Sequence, residues 1–421
     1  VHDYSSLAHE KQPHVITFYS AFPNRYLAES MTVLHSYALH QGWDAIIYDT
    51  WADDEWSDTL AIIGTTESYE VAKHPVFNAM MPALSQMFRK GLVAPATNTI
   101  RLQHTRKQIA HSPRFAYTMG RHALPGYIPN WAMAVNRIVQ DSMNASAFTQ
   151  SNDISFPAIL DDEAMSDTRE LRWEFNEGVL SVNTPRVQGA TGHISRSSGV
   201  SLDKLDIDVL SGNETATVLW VAMDSLRTLD DDGRSFLVVT SRTEVSGSVW
   251  RDSADILSWG TGPMVVEPVR ARLSFSFDDA VHLWITPLDS SGAATDKRFL
   301  IRGDSSIVID QTQTKTQWYE VVVTRGAGVD ETGDASLSSM SMVHTREGIQ
   351  LQLRMDRGVS DATLDIYDAV GRHCATADVG SINEGRSRHN VDLDGLSSGS
   401  YTAVMRSPGR KPLTARMIVV R

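Results

Sequence analysis

The spacing of hydrophobic positions along the chain changes period at Glu170. Before it, two short apolar runs, His14 to Tyr19 and Ala45 to Tyr48, flank a segment with Leu27, Met31, Leu34 and Ala38 at helical spacing. A strand, a helix and a strand joined this closely predict a parallel crossover, with Pro23 and Asn24 in the turn that enters the helix. A second helix is predicted over Pro75 to Lys90, striped by Val76, Met80, Leu84 and Met87 and stopped by Gly91 in a C-cap position. A third is predicted from Trp131 to Met143, followed by a polar, irregular stretch.

From Glu170 the period is two. Residues 171–194 predict a hairpin turning at Glu177 and Gly178, and strands follow at Asp206–Leu210, Ala216–Ala222, Ser235–Thr240, Met264–Val269, Ala271–Phe277, Val281–Thr286 and Trp318–Val323. That many short strands separated by turn signals predict a β-sandwich. Residues 326–345 are rich in Gly, Ser, Asp and Thr and read as a linker to a last alternating unit of about 75 residues. Trp173 alternates with Leu171 and Phe175 as a core residue does, whereas Trp250 and Trp259, near glycine turns, are open to a core or a carbohydrate-platform reading.

Charge narrows the partners. With 38 Lys and Arg against 51 Asp and Glu the net charge is −13, which argues against nucleic acid and anionic membrane, while a hydrated polymer such as a polysaccharide is compatible. The single cysteine, Cys374, excludes an intramolecular disulfide and a cysteine-based metal site. Asp230-Asp231-Asp232-Gly233 lacks the alternating acids and distal Glu of an EF-hand loop, so no metal and no cofactor is expected. No apolar run reaches membrane-spanning length, and the first residues, VHDYSSLAHEKQ, contain no signal-peptide pattern; a signal is expected upstream.

Residues 22–51, FPNRYLAESMTVLHSYALHQGWDAIIYDTW, resemble the last strands of the TIM barrel in a group of bacterial glycoside hydrolase-like proteins of the retaining, two-carboxylate kind. Pro23, Asn24, Tyr26, Glu29, Gln41, Gly42, Trp43 and Asp44 carry the likeness, and the runs at 184–188, 223–247 and 259–273 resemble that group's second domain. The resemblance implies a sugar site at strand ends, with Tyr19, Asn24, Asp49, Trp51 and Trp56 as substrate-binding residues. Asp53, Asp54 and Glu55 read equally as a solvated loop. The group's nucleophilic Glu falls on Thr17, which has no carboxylate to offer, and Asp49 is a possible substitute. The acid/base residue belongs to an earlier strand that this chain does not contain.

The terminal unit resembles the C-terminal sorting domain of type IX secretion substrates. The likeness rests on Tyr367-Asp368, Gly371-Arg372, Val391-Asp392-Leu393, Leu396, Gly399, Tyr401 and the last strand ARMIVVR, with a generic immunoglobulin-like adhesion module as the alternative. The expected fold class is therefore multidomain α/β plus all-β. Residues 1–104 are the C-terminal part of a TIM barrel, 105–169 an irregular connector, 170–325 a β-sandwich, 326–345 a linker and 346–421 a sorting domain that engages the type IX secretion machinery. The expected function is a secreted or cell-surface, glycoside hydrolase-like protein acting on or binding polysaccharide. A catalytically inactive polysaccharide binder and an adhesion or structural protein stand beside it, and Thr17 favours the inactive binder.

Overall fold

The run Ala216–Ala222, ATVLWVA, is buried along its whole length, as a strand covered on both faces must be. A computed structural model of the chain describes residues 8–17, 25–48, 74–105, 131–145, 149–150, 162–224, 227–252, 255–261, 263–277, 281–303, 305–325, 339–345, 348–355, 357–368, 372–391, 396, 399–408, 410 and 412–419. Ala216–Ala222 lies at the middle of a nine-stranded antiparallel sheet. On one side of it come Gly233–Ser241, Trp318–Arg325, Val281–Pro287 and the edge strand Phe299–Arg302; on the other come Val187–Gly192, Val179–Asn183, Leu171–Glu174 and Glu163–Met165.

Val218 and Trp220 point to one face of that sheet and share a core with Ile207, Leu273, Phe275 and Ile309 of a four-stranded sheet. Trp220 meets Phe275 edge to face at 5.4 Å, and its Nε1 donates to Ser235 Oγ at 2.6 Å, so the largest buried ring loses no hydrogen bond. Leu219, Val221 and Val238 point to the other face and pack under two helices, α1 (Leu27–His40) and α2 (Pro75–Arg89). Two side-chain bonds tie α2 down: Gln86 Nε2 donates to Met223 O at 2.8 Å and Trp318 Nε1 to Ala79 O at 2.9 Å.

This arrangement overturns the expected α/β barrel. Among the described residues strands far outnumber helices, and the largest sheet, of nine strands, is antiparallel throughout. The parallel crossover is present, with Val15–Ile16 beside Ala45–Ile46 and α1 between them, but those strands are two residues long and, among the described residues, pair with each other alone. Thr99–Thr105 and Arg137–Ala145 form a second parallel pair, in a separate sheet closed by the antiparallel Thr149–Gln150. A barrel requires each parallel strand to bond two neighbours around a ring. Here the helices are recruited instead as a layer on the antiparallel sheet.

The helix predicted from Trp131 to Met143 is also corrected, since only Ala132–Val135 is helical and Arg137–Ala145 is a strand. The cause is the buried Gln41. Its Nε2 donates to Met133 O and Asn136 O, both at 2.7 Å, and its Oε1 accepts from Ile138 N at 2.9 Å, taking up backbone groups that a longer helix would have bonded internally.

The chain divides into two compact units, Val1–Gly328 and Val329–Arg421. In the second, a three-stranded sheet and a four-stranded sheet bury Leu351, Leu353, Leu364, Ile366, Ala403 and Met405 between them. Within the segment read as a linker, Ser339–Thr345 forms a strand of the three-stranded sheet, paired with Gly348–Met355.

Candidate functional site

Of the residues expected at a sugar site, Thr17 is exposed and follows directly on Val15–Ile16. Tyr19, Asn24, Asp49, Trp51 and Trp56 lie outside the described residues. The matched residues after α1 have structural work. Gly42 N bonds Leu39 O at 2.9 Å and Trp43 N bonds Ala38 O at 2.8 Å, the paired bonds of a Schellman cap, with Gly42 in the left-handed conformation (φ +67°) that closes it. Asp44 Oδ2 then accepts from His14 N at 2.7 Å, and the buried Trp43 packs edge-on to His14 at 5.2 Å.

At the other end of α1 the chain leaves the strand end and enters a cluster of charged side chains. Arg25 O accepts from Thr243 N at 3.2 Å, its guanidinium pairs with Glu244 at 3.4 Å and lies over the Trp250 ring at 4.9 Å. The Trp250 Nε1 donates to Ser248 Oγ at 3.2 Å, and Ser248 Oγ donates to Glu244 at 3.3 Å, so ring, hydroxyl and ion pair form one chain. Tyr26 donates to Glu214, and burial together with that carboxylate raises the phenol pKa. Arg242 spans two carboxylates, Glu214 at 3.1 Å and Glu267 at 3.0 Å.

Glu29, in the first turn of α1, is held differently. Burial raises its pKa, opposed by the charge of His193. His193 is aimed by the hairpin beneath it: its Nδ1 donates to Glu214 O at 2.7 Å, and its ring fills the space where a Cβ on Gly178 would sit, 2.7 Å away. The cluster thus sets Glu29, whose carboxyl pKa burial raises, among three carboxylates engaged by arginine. A retaining pair needs two carboxyl groups about 5 Å apart and free to act on the sugar. Glu214 and Glu267 are both engaged by Arg242, and Glu244 by Arg25.

Sequence reading singled out Tyr26 and Glu29 by resemblance but not Arg25, His193, Glu214, Arg242, Glu244 or Glu267. These come from five separate segments of the chain, and no local spacing marks them. Trp173 stacks on Tyr37 at 5.5 Å in the helix-facing core, and Trp259 ends the strand Ile256–Trp259. Asp231 Oδ2 accepts from Thr228 N at 2.7 Å, making the acidic run a closed turn; among the described residues no three His, Cys, Asp or Glu side chains gather as a metal site.

No family model and no curated protein matches the chain. Among solved structures, a Ruminococcus gnavus β-glucuronidase is similar at 11% identity over 36% of this chain and 34% of its own, with a TM-score of 0.16. A biofilm-associated protein BSP domain is similar at 12% identity over 36% of this chain and 27% of its own, TM-score 0.16. A tetra-tandem repeat from the extending region of a large adhesion protein reaches 15% identity over 56% of this chain and 70% of its own, TM-score 0.16. The chain thus spans about a third of the length of the glucuronidase. Among the described residues no helix is long and apolar enough to cross a membrane.

Proposed function

We propose that this protein is a secreted or cell-surface glycan-binding protein that holds polysaccharide without cleaving it by the retaining route. The observation that carries the reading is the state of the carboxyl groups around α1. The position where the resemblance expects a nucleophilic Glu is the exposed hydroxyl of Thr17, and Glu214, Glu244 and Glu267 are each paired with arginine. A neutral hydroxyl supplies neither the nucleophile nor the negative field that stabilises an oxocarbenium-like transition state. Retaining turnover by the natural protein that Asp49→Asn abolishes would make Asp49 the nucleophile and end this reading; Thr17→Glu is the first substitution to try for creating activity.

Export is assigned to residues 346–421 as a type IX sorting domain. The residues that carry the likeness have physical roles consistent with a small independent sandwich. Asp368 accepts from Arg372 N at 2.9 Å and from Arg372 Nε at 2.7 Å, closing the turn after the strand Val359–Asp368, while Val391, Leu396 and Tyr401 are buried in the core. Deleting 346–421 is expected to leave the protein inside the producing cell. Arrival of the truncated protein at the cell exterior would overturn the assignment.

A further inference from the structure

Around the start of α1, the arginines and three of the glutamates satisfy one another: Arg25 pairs with Glu244, and Arg242 with Glu214 and Glu267. Glu29, in the first turn of α1, makes no hydrogen bond and no ion pair among the described residues, and His193 is its electrostatic neighbour. Packing brings the two together. Leu27 and Ala28 of that turn share a core with Leu180, Val187 and Leu219 of the nine-stranded sheet, and the strand Val187–Gly192 runs directly into His193.

His193 presents a fixed tautomer. A carbonyl can only accept, so the bond of 2.7 Å from Nδ1 to Glu214 O keeps the proton on Nδ1 and leaves Nε2 of the neutral ring as a bare lone pair. The ring is seated where a Cβ on Gly178 would lie, which holds Nε2 in place. Nε2 makes no hydrogen bond among the described residues, and His193 and Glu29 are both half-buried.

A half-buried carboxyl without a partner costs the fold stability, because it gives up water and receives no hydrogen bond in return. The neighbouring glutamates, each met by arginine, show how this cluster satisfies an acid that has no other task. An unpaired carboxyl beside an unpaired imidazole nitrogen is a set of acceptors, whose chemical complement is a pair of donors. Adjacent hydroxyls of a sugar ring are such a pair. A uronate carboxylate is not, since it brings acceptors and a negative charge to a cluster in which four glutamates already stand against two arginines. We propose that Glu29 and His193 are the acceptor pair of the glycan site, taking hydroxyl hydrogen bonds from a neutral polysaccharide and excluding polyuronates. This pair deepens the glycan-binding reading, on which it rests, by fixing the class of glycan.

The test is affinity electrophoresis of the full chain through gels containing hydroxyethylcellulose, galactomannan or polygalacturonate. Retardation by a neutral glycan is expected. Glu29→Gln should reduce the apparent affinity about tenfold or more, and so should His193→Asn, whose amide can still donate to Glu214 O but has no second ring nitrogen. Asp208→Asn, which neutralises an exposed carboxylate on the four-stranded sheet, should leave it unchanged. Because burial disfavours the charged form of Glu29, Glu29→Gln should melt no lower than the natural protein. A clear fall in its melting temperature would make the carboxyl structural and overturn its assignment. Natural affinity in either variant overturns the pair and leaves glycan binding standing. Retardation by polygalacturonate alone overturns the neutral class. Mobility unchanged in every gel overturns the pair together with the reading beneath it.

Discussion

Gln41 shows how one buried amide can decide the course of two segments. Three backbone groups of residues 133–138 depend on it, and none of them has water as an alternative. Gln41→Leu keeps the volume and removes all three bonds, so a loss of about 3 kcal/mol is expected in denaturant unfolding; a change below about 0.5 kcal/mol would mean that those groups find other partners. Buried histidines give the same helices a pH response. His35, its Nδ1 bonded to Met31 O at 2.8 Å between the Tyr48 and Phe88 rings, is pushed down by burial to about 4. His74, whose Nδ1 accepts from Phe77 N at the start of α2, is likewise pushed down by burial to about 4. A folded-state value below the ordinary 6.5 means that the unfolded chain takes up these protons first. Stability should therefore fall as pH drops from about 6.5 to about 4, by on the order of 3 kcal/mol for each histidine, and these groups should add nothing further below that. His74→Asn, which keeps a capping acceptor and removes the proton site, should flatten the slope measured by thermal unfolding between those pH values. At this scale the sequence marked Gln41, Gly42 and Trp43 only through the resemblance, and was silent about the bonds of Gln41, whose partners lie more than 90 residues away.

At the scale of elements, the antiparallel strands were the most legible because burial writes itself into them. Ala216–Ala222 was predicted to the residue, and the start of Val281–Pro287 and of Trp318–Arg325 likewise. The hairpin at Glu177 and Gly178 was legible from its turn, and it can be tested at Gly192, which faces that turn across the strands. Gly192 has φ +118°, and a Cβ there would lie 2.0 Å from Gly178 O. Gly192→Ala is expected to cost about 3 kcal/mol and to displace His193, so that both melting temperature and any affinity that depends on the Glu29 cluster fall together. A melting temperature equal to that of the natural protein would contradict the close approach. Helix prediction failed at Trp131 to Met143 because Ala, Met, Val and Ile fit either period, and what chose the strand was a tertiary bond from Gln41 together with pairing to Thr99–Thr105.

For the whole molecule, the barrel was misread for a physical reason: a strand-helix-strand unit records its own crossover but not what its helix packs against. Here α1 and α2 bury Met31, Tyr37, Met80 and Leu84 against an antiparallel sheet contributed by residues as far along the chain as Trp318, and nothing in residues 13–51 encodes that choice. The site suffered in the same way, since its charged residues are gathered by sheet order and not by spacing. What the assembled unit brings together near α1 is arginine on carboxylate, Arg242 on Glu214 and Glu267, and the proposed reading is that this surface holds glycan rather than cuts it. The most direct test is a proton NMR time course of the full chain mixed with galactomannan. Broadened sugar resonances with no new reducing-end anomeric signals are the predicted result, and growth of such signals in proportion to protein concentration would contradict it.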